Sequence, residues 1–338
     1  MKMKYYIAIC VVTMALFTSC ASKQATPERP VTDTFQIVHY NVIIAPDFSN
    51  RLNSKLYPKP VNDMEIVQDV LGRIYPDILN DKRSDNQQDA FSVTMINKGL
   101  ISLYDIDMSR MTIDFSRFDK QLDRIHFIKD KSEEKFSVAK AEFLQEYKRV
   151  AQASIADTHG ADLWSFFNSG LSDLNVKTKS EYKSFNGRTY EHKFRNILIM
   201  LTDGYIEASL YGEDACLSKG QCYYLSSQSI KDFRKAFKKS GIGDMKQFFE
   251  EEEYGIIPVK NPVLKDVEVL VMEMYDRSLS PAGNATVHPT DEEILQLFWS
   301  HWLEKSGVKK YELHKTVNST REVNQVISSF LGIEKSAS

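Results

Sequence analysis

The sequence predicts an α/β fold, with a doubly wound, mostly parallel central sheet covered by helices on both faces. Three observations carry this expectation. Short β-branched apolar runs alternate along the chain with longer segments whose apolar residues recur at helical spacing. The two most apolar runs, Phe35–Ala45 and Asn196–Leu201, are nearly continuous, as strands buried on both faces require. Each ends in an acidic turn, and the carboxyl ends of strands are where such folds bind their ligands.

Taken in order, Phe35–Ala45 opens the domain and stops at Pro46-Asp47-Phe48-Ser49-Asn50-Arg51. A helix follows with Met64, Val67, Val70, Leu71, Ile74 and Ile78 on one side; Asn62 or Asp63 caps it, and Glu65 lies in its first turn. Phe91–Ile96 and Met111–Phe115 read as the second and third strands. Residues 132–155 form a helix bearing Phe136, Ala139, Phe143, Tyr147 and Val150, and a shorter helix surrounds Leu163 to Leu171. The clearest strand, from Asn196, runs into Thr202-Asp203-Gly204. A helical stretch over 227–250, a strand at Val267–Met274, a helix over 291–305, a strand at Tyr311–Thr316 and a helix at Ser319–Leu331 complete the order. The segment 205–258 is longer than one crossover helix needs and starts at the ligand-bearing rim, so it reads as an enlarged insertion that is either a recognition surface beside the site or an ornamented loop of no consequence. The acidic run Glu250–Glu253 is a solvated helix end.

Residues 1–19 read as an export signal. Lys2 and Lys4 precede an apolar run from Tyr5 to Phe17, short for a bilayer span and of the length of a signal core. It ends in Leu16-Phe17-Thr18-Ser19-Cys20, which resembles the bacterial lipobox and implies a diacylglycerol on Cys20. A Ser-, Thr- and Pro-containing tether over 20–34 then leads to a single domain at 35–334. At about 0.8 kcal/mol per buried methylene, several acyl chains anchor a protein stably. The expected address is the bacterial cell envelope, outside the cytoplasm, most simply the outer membrane, with the lipid as the sole membrane contact.

Lys and Arg number 43 against 46 Asp and Glu, with no basic block, which argues against nucleic acid. Cys216 and Cys222 remain once Cys10 leaves with the signal and Cys20 is lipidated. In an oxidising compartment they make a loop disulfide, and no further ligands stand nearby to complete a zinc site. No His-x-x-x-His, no G-x-S-x-G elbow and no phosphate-cradling glycine loop occurs, so the chain reads as a non-enzyme. Trp164, Phe166, Phe167, Trp299 and Trp302 read as core.

The chemistry lies in the two acidic turns. Asp47 with Ser49, and Asp203 after the later strand, reach one rim if their strands are neighbours. Asp and Ser oxygens without sulfur or imidazole suit a hard cation: Mg2+, Mn2+ or Ca2+. Asp47-x-Ser49 after the first strand and Thr202-Asp203-Gly204 after the fourth resemble the von Willebrand factor A domain, whose fold is a Rossmann-type three-layer sandwich. The resemblance covers most of residues 36–333 in element order. It implies a metal-ion-dependent adhesion site with Asp47, Ser49 and Asp203 as ligands. The third position of the D-x-S-x-S motif is Arg51, which cannot ligate a cation; it pairs with an acid or sets its own charge where the metal would sit. In the intermediate loop Ala161 falls at the family's threonine, leaving Thr158 or, preferably, Asp162 to substitute. The function implied is a lipid-anchored, extracytoplasmic module that binds a protein or peptide through a partner carboxylate completing the metal's shell. The alternative is a metal-free structural or assembly lipoprotein that uses the fold as a scaffold.

Overall fold

The computed structural model describes residues 34–333 apart from 84–85, 158, 186, 208–214, 219 and 281. The expected signal, Cys20, the tether up to residue 33, and Thr158 lie outside the described residues. Strand β1 (Thr34–Pro46) leads to α1 (Asp63–Arg73), β2 (Ala90–Val93), α2 (Gly99–Leu103) and β3 (Thr112–Asp114). Next come α3 (Gln121–Ile128), the long α4 (Phe136–Ala156), α5 (Leu163–Ser165), β4 (Glu181–Phe185) and β5 (Arg188–Leu201). The insertion carries β6 (Cys216–Ser218), β7 (Gln221–Cys222), α6 (Ser227–Ser240), α7 (Met245–Glu251) and β8 (Gly255–Ile256). The chain closes with β9 (Val267–Met274), α8 (Asp291–Lys305), β10 (Lys310–Lys315) and α9 (Thr320–Leu331).

Seven strands form one sheet in the order β10-β9-β5-β1-β2-β3, with β4 added to β5. The β1–β2, β1–β5, β5–β9 and β9–β10 pairs are parallel. The central strands are apolar without alternation because each side chain enters one of two cores. Val42, Ile44, Ile197 and Ile199 pack with residues of α1, α4 and α9. Ile43, Ala45, Leu198 and Met200 face Leu163, Trp164, Ile230, Phe249, Trp299 and Trp302. Each such side chain contributes about 1.5–3 kcal/mol by burial, so a one-residue register slip, which would exchange the two faces, is strongly disfavoured. The result is an α/β domain with a mostly parallel sheet between helical layers.

The sequence left α1's cap open between two residues; here it is Asn62. Its side chain accepts from Glu65 N at 3.1 Å and Glu65 accepts from Asn62 N at 2.8 Å, a reciprocal cap. Asp63 is thereby free for other work. The expected helix over 227–250 is two helices. Gly241, at φ 74°, ends α6 in a left-handed turn, and Asp244 caps α7 with its carboxylate. The third strand pairs antiparallel with β2, and β5 begins at Arg188 rather than Asn196. Within the insertion, β6, β7 and β8 make a second small sheet, and the Cys216 and Cys222 sulfurs are bonded at 2.02 Å. Among the described residues no helix is long and apolar enough to cross a membrane.

Candidate functional site

The register of two neighbouring strands builds the site. β1 and β5 run parallel from Thr34 opposite Thr189 to Pro46 opposite Leu201, so Asp47 and Thr202 both stand one step past the last pair. Asp47 N still donates to Leu201 O at 2.9 Å, which fixes the first turn to the neighbouring strand. Thr202 Oγ1 donates to Asp47 Oδ2 at 2.9 Å, and Ser49 N to Asp47 Oδ1 at 3.0 Å. Both Asp47 and Asp203 are almost wholly buried. On the far side, Trp299 Nε1 donates to Gly204 O at 2.8 Å, and Gly204 itself adopts φ 89° against Met274 and Leu295. The Thr-Asp-Gly turn therefore needs its glycine and is held by a core tryptophan.

Asp47, Ser49, Arg51, Ala161, Asp203 and Arg277 are among the residues lining a cleft of about 170 Å³ at this rim. Asp162, the preferred loop ligand, is not among its lining residues. Its carboxylate caps α5, accepting from Ser165 N at 2.9 Å and Ser165 Oγ at 2.7 Å. The loop presents His159, Gly160 and Ala161 to the cleft instead.

Of the two roles open to Arg51, the geometry has it paired with an acid. It is fully buried, and its terminal nitrogens grip both oxygens of Asp63 at 3.0 and 2.5 Å while Nε donates to Asp47 O at 2.8 Å. Burial favours the neutral acid, but the charges of Arg51 and Lys59 outweigh it and hold Asp63 below the usual carboxylate range. Lys59 continues the chain of buried charges to Glu273 at 2.9 Å. Burial pushes the Glu273 carboxyl up, against the pull of Lys59.

A second guanidinium, which the sequence reading did not single out, occupies the rim. Arg277 Nη2 lies 2.7 Å from Asp203 Oδ2, and Nη1 donates to Glu207 Oε1 and Ser227 Oγ, each at 2.6 Å. Its Cζ lies 3.9 Å from the Tyr205 ring centre and 5.0 Å from that of Tyr57. Arg277 Nε is buried without a hydrogen-bond partner among the described residues. Asp47 is pushed up to about 6, by burial first and by the Asp203 charge, against the lowering effect of Arg51. The signal that could have found Arg277 is positional: it lies three residues beyond β9, another parallel strand ending at the same rim.

A hard cation takes six or more oxygens. The carboxylate, amide and serine oxygens at the cleft are those of Asp47, Ser49, Asn50, Asp203 and Glu207, of which Asp47 already accepts from Thr202, while Asp203 and Glu207 already hold a guanidinium. Among the described residues no group of three or more His, Cys, Asp or Glu converges at metal-binding distances. As arranged, both carboxylates that the resemblance assigns to a cation are engaged within the protein, Asp47 by a hydroxyl and Asp203 by a guanidinium. No protein-family model matches the chain, and no curated protein does.

Proposed function

We propose that this chain is a lipid-anchored, extracytoplasmic binding module of von Willebrand A type that grips a protein partner at this rim without a resident metal ion. The observation that carries the reading is the Arg277–Asp203 pair, which places a fixed positive charge beside the acid that the family uses for its metal. The strand order, the two turns and their juxtaposition support the family assignment. The balance of charge supports a partner group. Asp47, Asp203 and Glu207 outnumber Arg277 at the rim, and Arg51 is already matched by Asp63. A lysine or arginine side chain of the partner suits that excess better than a carboxylate. Among the described residues no hydrogen bond joins Ser49 to His159, the serine and histidine that line the cleft, and we read the rim as a binding surface and not as a catalytic one.

One observation favours a second reading. The Asp203 charge opposes ionisation of Asp47, so a cation between the two carboxylates, with Arg277 swung out, would relieve their repulsion and is the form in which a partner carboxylate would bind. Calorimetric titration with Mg2+ and Mn2+ separates the two. Metal-independent binding predicts no saturable heat and an unchanged melting temperature. A one-site isotherm that disappears in Asp47→Ala and Asp203→Ala would establish the second reading.

A further inference from the structure

Below the residues that pair with β2, the sheet narrows to a three-stranded ribbon made of β4 and the first halves of β5 and β1. Its register sets Phe35 beside Tyr190 and Tyr190 beside Lys183, so the three share one face. Phe35 is 42% exposed, its ring lies 5.8 Å from that of Tyr190, and the Arg188 guanidinium lies 5.3 Å over it. Arg188 and Lys183 are exposed. Between residues 177 and 195 the chain has six Lys and Arg against two Glu, in a protein whose net charge is −3. Both glutamates lie on the ribbon, with Glu181 3.8 Å from Lys183 and Glu191 3.2 Å from Lys193.

An exposed phenylalanine beside a half-buried tyrosine, with a guanidinium over the first, suits the headgroup layer of a bilayer, where rings sit at the interface and cations meet anionic lipids. The course of the chain selects this occupant over others. Thr34, the first residue of β1, lies at the ribbon's tip opposite Thr189, and thirteen residues separate it from Cys20. A flexible chain of that length has an end-to-end distance of roughly 20 Å. The cleft stands at the other end of β1, about 40 Å further on. We propose that the ribbon tip, through Phe35, Lys183, Arg188 and Tyr190, seats on anionic phospholipid headgroups and holds the domain upright with the cleft facing away from the membrane. This rests on the reading that Cys20 carries lipid.

The test uses the mature lipidated protein on vesicles of phosphatidylcholine, alone or mixed with phosphatidylglycerol, with an environment-sensitive dye on Ser184→Cys beside the tip. Flotation reports the lipid anchor; dye emission reports the ribbon. The expected result is flotation with both vesicle types, and a blue shift only with phosphatidylglycerol, suppressed by high salt. Removing each basic residue weakens the contact roughly fivefold, so Lys183→Glu/Arg188→Glu returns the emission to its neutral-vesicle value while melting and flotation are unchanged. Flotation without a charge-dependent shift overturns the inference and leaves the anchor standing. Failure to float overturns both. A shift that appears in solution and grows with protein concentration assigns the tip to a second copy of the chain and also overturns it.

Discussion

Arg277 Nη2 and Asp203 Oδ2 lie 2.7 Å apart, so the acid just beyond the end of β5 is answered by a guanidinium of its own chain. Removing one partner of a buried pair costs about 3–5 kcal/mol, and the partial exposure of Arg277 reduces this. Arg277→Gln is expected to lower stability by about 2 kcal/mol. It should also create a rise in melting temperature on adding Mg2+, which the metal-independent reading expects the native protein not to show. A variant that melts like the native protein, or ignores Mg2+, would show that Arg277 does not stand in for a cation.

Asp47 is a residue whose ionisation works against the fold. Its folded pKa of about 6 exceeds its ordinary value of 3.8, so the native state is favoured while the group is protonated and loses that advantage as pH rises from about 4 to 6. Asp47→Asn should therefore be more stable than the native protein at pH 7.5, on the order of 1–3 kcal/mol, with the gain vanishing near pH 4. Melting curves across that range decide it; a gain that does not vary with pH would sink the argument.

The buried histidine pair has the opposite sign. His39 Nε2 and His192 Nδ1 are 2.8 Å apart, and the rings stack with centroids at 5.1 Å. Gln88 N donates to His39 Nδ1, beside Arg83, so neither nitrogen has room for an extra proton. Burial and then the Arg83 charge push His39 down to about 2, and burial also lowers His192. The unfolded chain takes up protons below about pH 6.5 where the folded one does not, so stability falls with a slope of about 1.4 kcal/mol per pH unit for His39. In the His39→Phe/His192→Phe double variant that slope should flatten, whatever the change in absolute stability. An unaltered slope between pH 6.5 and 5 would remove the pair from the account.

Trp299→Phe tests the support of the Thr-Asp-Gly turn. It leaves Gly204 O without its buried donor, which costs about 1–3 kcal/mol. The same change at Trp302 removes a bond to Ile257 O, which Trp164 Nε1 also contacts at 2.7 Å, so it should cost less. Denaturant titration of the two variants gives the comparison, and equal losses would contradict it.

What could be read beforehand follows from burial. The second halves of β1 and β5, together with β9, lie between two helical layers, and nothing but an apolar run can do so; hence their visibility. Asp47 and Asp203 meet because those strands are neighbours, an inference that needs only the parallel-sheet rule. Asp162 shows the limit, since an aspartate that caps a helix and one that faces a cleft have the same sequence signature. Arg277 shows another, since an arginine's partners lie far from it along the chain. The ribbon was hidden by its exposure. Arg188 to Arg195 mixes charge with aromatic rings because one end of it reaches solvent, so only the inner part of β5 carried a strand's pattern. The strands of the small sheet, two or three residues each, are too short for any period to register.

The thirteen-pair register between β1 and β5 has a mechanical meaning. In the proposed arrangement a pull arrives at Thr34 from the lipid and leaves at the opposite end, through Asp47 or Asp203. A load taken at Asp47 travels along the covalent backbone of β1. A load taken at Asp203 must pass to β5 across the ladder, where the hydrogen bonds are strained together in shear and not opened one after another. In that arrangement tension between the two ends would load the β1–β5 ladder in shear.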